Sequence, residues 1–189
     1  MQTGQTALLI IDMQNDFVLP ESPACISGAL RTVPTIASVL QSFRQAELPI
    51  FHIVREYRAD GSDIERFRFD RFINGAKQAI PGTFGSEIVD ALTPTDSEYR
   101  IVKPRFSAFM STELDLMLRR LNIAHIVMTG TQIPNCIRAT AYDAVALGYQ
   151  VTLLTDATSA MDDTIAQANI NDMRNIDITC IPSTSLELA

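Results

Sequence analysis

The chain has 189 residues, which fits one domain over 1–189 and allows roughly 70% of the unfolded chain's surface to be buried. Its 47% apolar and 20% charged residues are ordinary for a globular protein. The net charge of −7 argues against nucleic acid or an anionic membrane as the main partner. No apolar run reaches the length of a membrane span, and no basic region precedes the first apolar stretch, so we expect a cytoplasmic protein without membrane contact.

Short apolar runs alternate with segments of helical period along the chain. Strands are predicted at 6–12, 49–55, 100–103, 124–129, 151–155 and 176–181, and helices at 33–46, 112–121, 136–148 and 163–173. This alternation predicts an α/β fold with three layers, in which helices cover both faces of a six-stranded parallel sheet. One long irregular stretch, 57–84, is polar and rich in Arg and Phe. Loops of this length are usually lids, binding loops or subunit contacts.

The three cysteines are Cys25, Cys136 and Cys180. Their odd number and wide spacing predict neither a disulfide framework nor a metal site, and they suit a reducing compartment. Cys180 lies in an apolar run and is most simply a core residue, whereas Cys25 lies in a Pro-rich loop without an evident partner.

Cys136 is the most informative of the three, because it follows an apolar strand and a turn at the start of a predicted helix. The helix macrodipole and the free N–H groups at that position favour a thiolate, which is the nucleophilic form. The same N–H groups could hold an oxyanion. The alternative is that Cys136 is a small buried apolar residue.

Two charged residues end strands of the predicted sheet. Asp12 closes the first strand, and Lys103 closes the third, where Pro104 keeps it extended. In a sheet of order 3-2-1-4-5-6 the ligand crevice lies between strands one and four, which would bring Asp12 and Cys136 together. We expect a partly desolvated Asp12 to take the thiol proton and the Lys103 ammonium to favour the thiolate. A turn aspartate and a solvated lysine are the alternatives.

Several segments of the chain resemble the isochorismatase-like cysteine hydrolase superfamily, which includes nicotinamidases and N-carbamoyl amidases. The resemblance covers nearly the whole chain in family order. The matching segments are Ile-Asp-Met-Gln-Asn-Asp-Phe at 11–17, Pro-Gly-Thr at 81–83, Lys103 with Phe-Ser-Ala-Phe at 106–109, and 130–136 with Asp143.

The resemblance implies that Asp12, Lys103 and Cys136 form a catalytic triad on a sheet of order 3-2-1-4-5-6. It also implies a cis peptide bond between Thr131 and Gln132, and an oxyanion hole formed by the backbone N–H groups of Gln132 and Cys136. That order places strand three roughly 10 Å from strand one, so Lys103 must reach across from its own strand.

The chain departs from nicotinamidases at their Asp/His metal cluster near the end of strand two. Its two histidines, His52 and His125, both lie in apolar strand patterns without spaced ligand partners, so we expect core histidines, no metal site and no cofactor. Nicotinamidase activity is therefore not expected. Ile133 and Pro134 also replace the Thr-Asp that many relatives carry before the cysteine.

Four residues are candidates for substrate binding. Arg55 and Tyr57 stand near where the metal ligands of the relatives would be, and an arginine there could bind a carboxylate or carbonyl. Arg58 stands there as well, and the alternative is a surface arginine paired with Glu56 or Asp60. Phe17 and Phe109 are candidates for an aromatic pocket wall, with core packing the alternative.

The sequence thus predicts a metal-independent cysteine amidohydrolase that acts on a small amide or carbamoyl-type compound through a Cys thioester. One alternative is vinyl-ether hydrolysis of the isochorismatase kind, which needs an acid but no thiol nucleophile. The other is a non-catalytic receiver-like or binding domain. By analogy we expect a homo-oligomer, with the 57–84 loop as a subunit contact.

Overall fold

The computed structural model describes residues 4–188, and its centre is a six-stranded, all-parallel sheet of order β3-β2-β1-β4-β5-β6. The predicted α/β class and strand order are confirmed. The strands are β1 (Gln5–Ile11), β2 (Ile50–Arg55), β3 (Tyr99–Lys103), β4 (Ile123–Thr131), β5 (Gln150–Ser159) and β6 (Thr179–Ile181).

The four predicted helices are present, together with two short ones that were not predicted. The helices are α1 (Asn15–Val18), α2 (Ala29–Gln45), α3 (Phe69–Ile73), α4 (Leu114–Arg120), α5 (Arg138–Ala146) and α6 (Asp163–Arg174). Within residues 4–188 no helix is long and apolar enough to cross a membrane.

Residues of β1 alternate between two apolar layers, because successive side chains of a strand point to opposite faces. Leu9 and Ile11 pack into the layer of α4, α5 and α6, whereas Leu8 and Ile10 pack against α2. All four are at most 2% exposed. Burial on both faces explains why β1 reads as a continuous apolar run.

The carboxyl ends of four adjacent strands meet at one edge of the sheet. Arg55 and Lys103 are the last residues of β2 and β3 and are register partners, while Asp12 directly follows β1. β4 passes close to β1 at this edge: Gly130 has φ +109°, and a Cβ there would lie 2.1 Å from the carbonyl oxygen of Ile11. Only glycine fits this position.

The segment that contains Cys136 differs in detail from the prediction. Residues Ile133–Ile137 form a π-helical turn, in which the N–H of Ile137 donates to the carbonyl of Gln132, five residues back. The regular helix α5 begins only at Arg138. Cys136 therefore lies at the start of the helical segment, as predicted, but in a π-helical turn that α5 continues.

Candidate active site

Asp12 and Lys103 form a buried ion pair, with 2.8 Å between Lys103 Nζ and Asp12 Oδ2. The two side chains are only 5% and 0% exposed. Lys103 reaches Asp12 across the end of β2, as its place on β3 requires. The second carboxylate oxygen, Asp12 Oδ1, is buried and has no hydrogen-bond partner within the described residues. The site therefore contains one uncommitted acceptor. Asp12 also has φ +53°, in the left-handed region that non-glycine residues rarely adopt.

Cys136 lines the same small pocket as Asp12 and is 7% exposed. Burial raises the pKa of its thiol, and the Asp12 carboxylate raises it further, whereas Lys103 and Arg55 lower it without reversing the shift. Burial beside a carboxylate therefore outweighs the preference for the thiolate that was expected from the start of a helix. A base must take the thiol proton before Cys136 can act as a nucleophile.

Arg55 lies between this pocket and the loop that follows β2. Its Nη1 donates to Tyr57 Oη at 2.9 Å and to Glu65 Oε1 at 2.6 Å, and its Nη2 lies 3.6 Å from Cys136 Sγ. The alternative of a surface arginine paired with Glu56 or Asp60 does not hold for Arg55, because the loop turns back and presents Glu65. It does describe Arg58, whose exposed Nε lies 3.5 Å from Asp60 Oδ1. Nothing in the sequence marked Glu65, since an irregular loop has no periodicity from which its path could be predicted.

The backbone at the end of β4 completes the pocket. The peptide bond between Thr131 and Gln132 is cis, which confirms that prediction. Thr131, Gln132 and Asn135 line the pocket beside Cys136. The predicted oxyanion-hole residues thus lie at the same pocket as the thiol.

The pocket that holds Cys136 is small, with a cavity volume of about 40 Å³. It shares five lining residues with an adjoining cavity of about 390 Å³, which we call the vestibule. The lining residues of the small pocket are Asp12, Phe17, Ala24, Ile26, Arg55, Tyr57, Arg68, Thr131, Gln132, Asn135 and Cys136.

The structure brings three of the four predicted substrate-binding residues to this pocket: Phe17, Arg55 and Tyr57. Phe109 is not among the lining residues. Its ring stacks on Tyr149, with 5.9 Å between the centroids, and Tyr149 directly precedes β5 at the opposite edge of the sheet. Phe109 therefore packs against the apolar core, which was the alternative to a place in the pocket wall.

Arg68 is a site residue that sequence reasoning missed. It lines both the small pocket and the vestibule, and its Nε is buried without a hydrogen-bond partner in the described chain. The guanidinium stacks over Phe67 and Phe106, with its Cζ 4.9 and 5.8 Å from the ring centroids. Glu65 Oε2 lies 3.6 Å from Arg68 Nε, beyond hydrogen-bond distance. This contact is an ion pair, and the Arg68 side chain is 26% exposed, so Arg68 is a partly exposed cation where the two cavities adjoin.

The two histidines lie within the sheet, away from the pocket. His125 contacts the hydroxyls of Thr6 and Thr152. His52, expected to lack a carboxylate partner, instead contacts Glu98 Oε2 at 2.8 Å. Burial nevertheless holds the pKa of His52 below its ordinary value. Between residues 4 and 188 no group of three or more His, Cys, Asp or Glu side chains is arranged to hold a metal ion.

A buried carboxylate, ammonium and thiol at the carboxyl ends of parallel strands define an α/β protein with a candidate cysteine site. Comparison with known proteins specifies the class further. The chain belongs to the isochorismatase family, whose domain model matches residues 6–185. The resemblance inferred from the motifs is thereby confirmed.

Three related proteins show how close the similarity is. A protein of Arabidopsis thaliana described as a probable inactive nicotinamidase is 43% identical over 92% of this chain and 90% of its own length. The ureidoacrylate amidohydrolase of Caulobacter vibrioides is 31% identical over 81% of this chain and 76% of its own. The crystal structure of an isochorismatase family protein from Desulfovibrio vulgaris has a TM-score of 0.93 and 51% identity, covering 97% of this chain and 96% of that one. The expected hydrolase class agrees with these relatives.

Proposed function

We propose that this protein is a metal-independent cysteine amidohydrolase, which cleaves a small amide or carbamoyl C–N bond through a thioester on Cys136. The observation that carries the proposal is the unpartnered, buried Asp12 Oδ1 in the pocket of the Cys136 thiol, with Lys103 bound to the other carboxylate oxygen. This arrangement supplies a base, a nucleophile and a fixed cation in one pocket.

In the proposed reaction Asp12 first takes the Cys136 proton, and the thiolate attacks the substrate carbonyl carbon. The resulting oxyanion accepts hydrogen bonds from the backbone N–H groups of Gln132 and Cys136. Asp12 returns the proton to the nitrogen as the C–N bond breaks, which leaves an acyl- or carbamoyl-thioester. Water, deprotonated by Asp12, then attacks that carbonyl, and the sulfur leaves as the thiol. The enzyme returns to its starting protonation state.

The shape of the cavities supports a substrate with a small head and a longer tail. The small pocket, at about 40 Å³, has room for little more than a carbonyl and its substituents. The vestibule, at about 390 Å³, would hold the tail. Arg68 lines both cavities with a side chain that is 26% exposed, and a guanidinium binds carboxylates strongly. The proposed substrate is therefore a carbamoyl or amide compound with an anionic tail, in line with the name of the ureidoacrylate amidohydrolase relative.

Nicotinamide hydrolysis is not proposed for this chain. At the end of β2 the side chains of Arg55, Tyr57 and Glu65 are hydrogen-bonded to one another. A cationic guanidinium in that position is unsuited to hold a metal ion. The name of the Arabidopsis relative, a probable inactive nicotinamidase, points in the same direction.

A turnover screen tests this proposal. The panel comprises N-carbamoyl amino acids, neutral amides, nicotinamide and a vinyl ether. The rate of product formation from each compound is measured with the wild-type protein and with Cys136→Ala. We expect activity on the carboxylate-bearing amides or carbamoyl compounds and a loss of roughly 10⁴-fold or more in Cys136→Ala. Full turnover by Cys136→Ala, or activity confined to the vinyl ether, would contradict the thioester route.

A second variant tests the proposed role of Arg68. Arg68→Met should raise KM for the carboxylate-bearing substrate by roughly 10- to 100-fold, because one hydrogen bond to a charged group is lost. The variant should change kcat much less. Arg58→Met is the matched control, because the Arg58 side chain is 70% exposed on the same loop. If Arg68→Met left KM unchanged, the anionic tail would have to bind elsewhere.

A further inference from the structure

The backbone of Arg55 is fixed by a buried side-chain amide, that of Gln14. Its backbone N–H donates to Gln14 Oε1 at 2.7 Å, and its carbonyl accepts from Gln14 Nε2 at 2.8 Å. Gln14 is fully buried, and its Nε2 also donates to the carbonyl of Ser86. The position of Arg55 relative to β1 is therefore set by a side-chain amide that satisfies its backbone in both directions.

The donors of the Arg55 side chain are largely committed within the protein. Nη1 lies within reach of three acceptors, which are Tyr57 Oη, Glu65 Oε1 and, at 3.3 Å, the carbonyl of Pro104. Nη2 faces Cys136 Sγ at 3.6 Å, a hydrogen-bond contact for sulfur. Arg55 is only 2% exposed. A substrate carboxylate would have to displace these partners, so the expected role of Arg55 as a carboxylate anchor is poorly supported.

We infer that Arg55 is a catalytic residue of a different kind: its guanidinium is a second cation that stabilises the Cys136 thiolate, and Glu65 limits the strength of that cation. This inference rests on the proposed cysteine mechanism. When Asp12 takes the thiol proton it becomes neutral, so the negative charge of the site moves to the sulfur. The Arg55 guanidinium then contacts the sulfur through Nη2 at 3.6 Å, and it acts together with Lys103, the other cation that lowers the pKa of this thiol.

The charges around Arg55 agree with this role. Burial by itself would lower the pKa of Arg55, but the negative or acidic groups of Cys136, Asp12, Tyr57 and Glu65 outweigh burial and raise it. The guanidinium therefore stays protonated. Burial likewise opposes ionisation of Glu65, yet Arg55 and the Tyr57 hydroxyl hold the pKa of this carboxyl below its usual value. Glu65 is thus a carboxylate at neutral pH, and it partly neutralises Arg55.

Two substitutions should shift the ionisation of Cys136 in opposite directions. Arg55→Met removes the cation and should raise the midpoint of the thiol titration by roughly 1–2 pH units, the effect of one opposite charge at this range. Glu65→Gln keeps the shape of the side chain but removes the opposing charge, so it should lower the midpoint by about 1 pH unit. Arg58→Met removes a cation whose side chain is 70% exposed on the same loop, so this control should stay near wild type.

The titration is measured by the rate of alkylation with iodoacetamide as a function of pH, read on the Cys136 peptide by mass spectrometry. Peptide-level reading separates Cys136 from Cys25 and Cys180. The midpoint belongs to the coupled Cys136 and Asp12 pair, which does not affect the sign of a shift. Because no substrate is needed, the measurement can succeed or fail independently of the proposed hydrolysis.

Opposite shifts in Arg55→Met and Glu65→Gln support the inference. Unchanged midpoints, or shifts of the same sign in both variants, would overturn it and leave Arg55 as a structural tie between β2 and the loop. If Arg55→Met does not fold, as judged by circular dichroism, Glu65→Gln decides alone: a lowered midpoint supports the inference, and an unchanged or raised midpoint overturns it.

Discussion

The ion pair of Asp12 and Lys103 should be one of the strongest couplings in the protein. Two unit charges 2.8 Å apart attract by about 6 kcal/mol at an effective dielectric constant of 20, and desolvation offsets part of this. Removing one partner leaves the other charge buried and unpaired. We therefore predict that Lys103→Met and Asp12→Asn each lower the free energy of unfolding by about 3–5 kcal/mol. The double variant leaves neither charge unpaired, so it should cost at least about 2 kcal/mol less than the sum.

Urea unfolding measures all three variants, with a constant slope m required for the comparison. The control is Arg31→Met, which breaks an ion pair of nearly equal length, 2.9 Å to Asp163, between side chains that are 65% and 81% exposed. That variant should leave the unfolding curve unchanged within error, because solvent screens exposed pairs. The reasoning from burial would be refuted if the double variant lost as much unfolding free energy as the two single variants together. A loss below about 1 kcal/mol in Lys103→Met would also refute it.

Two further predictions concern stability. Burial holds the pKa of His52 below its ordinary value and Glu98 offsets this only in part, so the unfolded chain binds the His52 proton more readily than the folded protein does. Stability should therefore fall as pH drops from 7.5 to 5.5, and the fall should be smaller in His52→Gln when both are followed by urea unfolding; an identical pH slope in the variant would contradict this. Gly130→Ala should destabilise the fold by about 3 kcal/mol or more, because its Cβ would meet the carbonyl of Ile11, whereas Gly148→Ala, with φ +90° but open space, should cost only about 1 kcal/mol. Equal thermal shifts for the two variants would argue against the close approach of β4 to β1.

Much of the fold was predictable because its strands are buried on both faces. β1 and β4 read as continuous apolar runs, and the helices between strands show the 3.6-residue period. The ends of the strands were predicted less well than their positions. For example, β5 continues to Ser159, well past the predicted end at residue 155. Its continuation contains Thr158 and Ser159, which pair with β4 although hydroxyl residues at the end of a run resemble a turn.

The candidate site was predictable only where its residues lie on strand ends. Asp12 and Lys103 follow from strand ends and strand order, which together bring them to one edge of the sheet. Glu65 and Arg68 come from the irregular segment after β2, where neither period nor turn signals fix the path of the backbone. Phe109 shows the converse problem: a residue near a motif in sequence can point to another part of the core.

The most direct test of the central claim is detection of a covalent intermediate on Cys136. Wild-type protein is mixed with a carboxylate-bearing amide or carbamoyl substrate that it turns over, quenched in acid within the first turnovers and digested for mass spectrometry. We predict that the Cys136 peptide carries the acyl or carbamoyl mass, and that hydroxylamine added before the quench removes this mass and yields the hydroxamate or hydroxyurea. Turnover without any adduct on Cys136, together with retained activity in Cys136→Ala, would contradict the account.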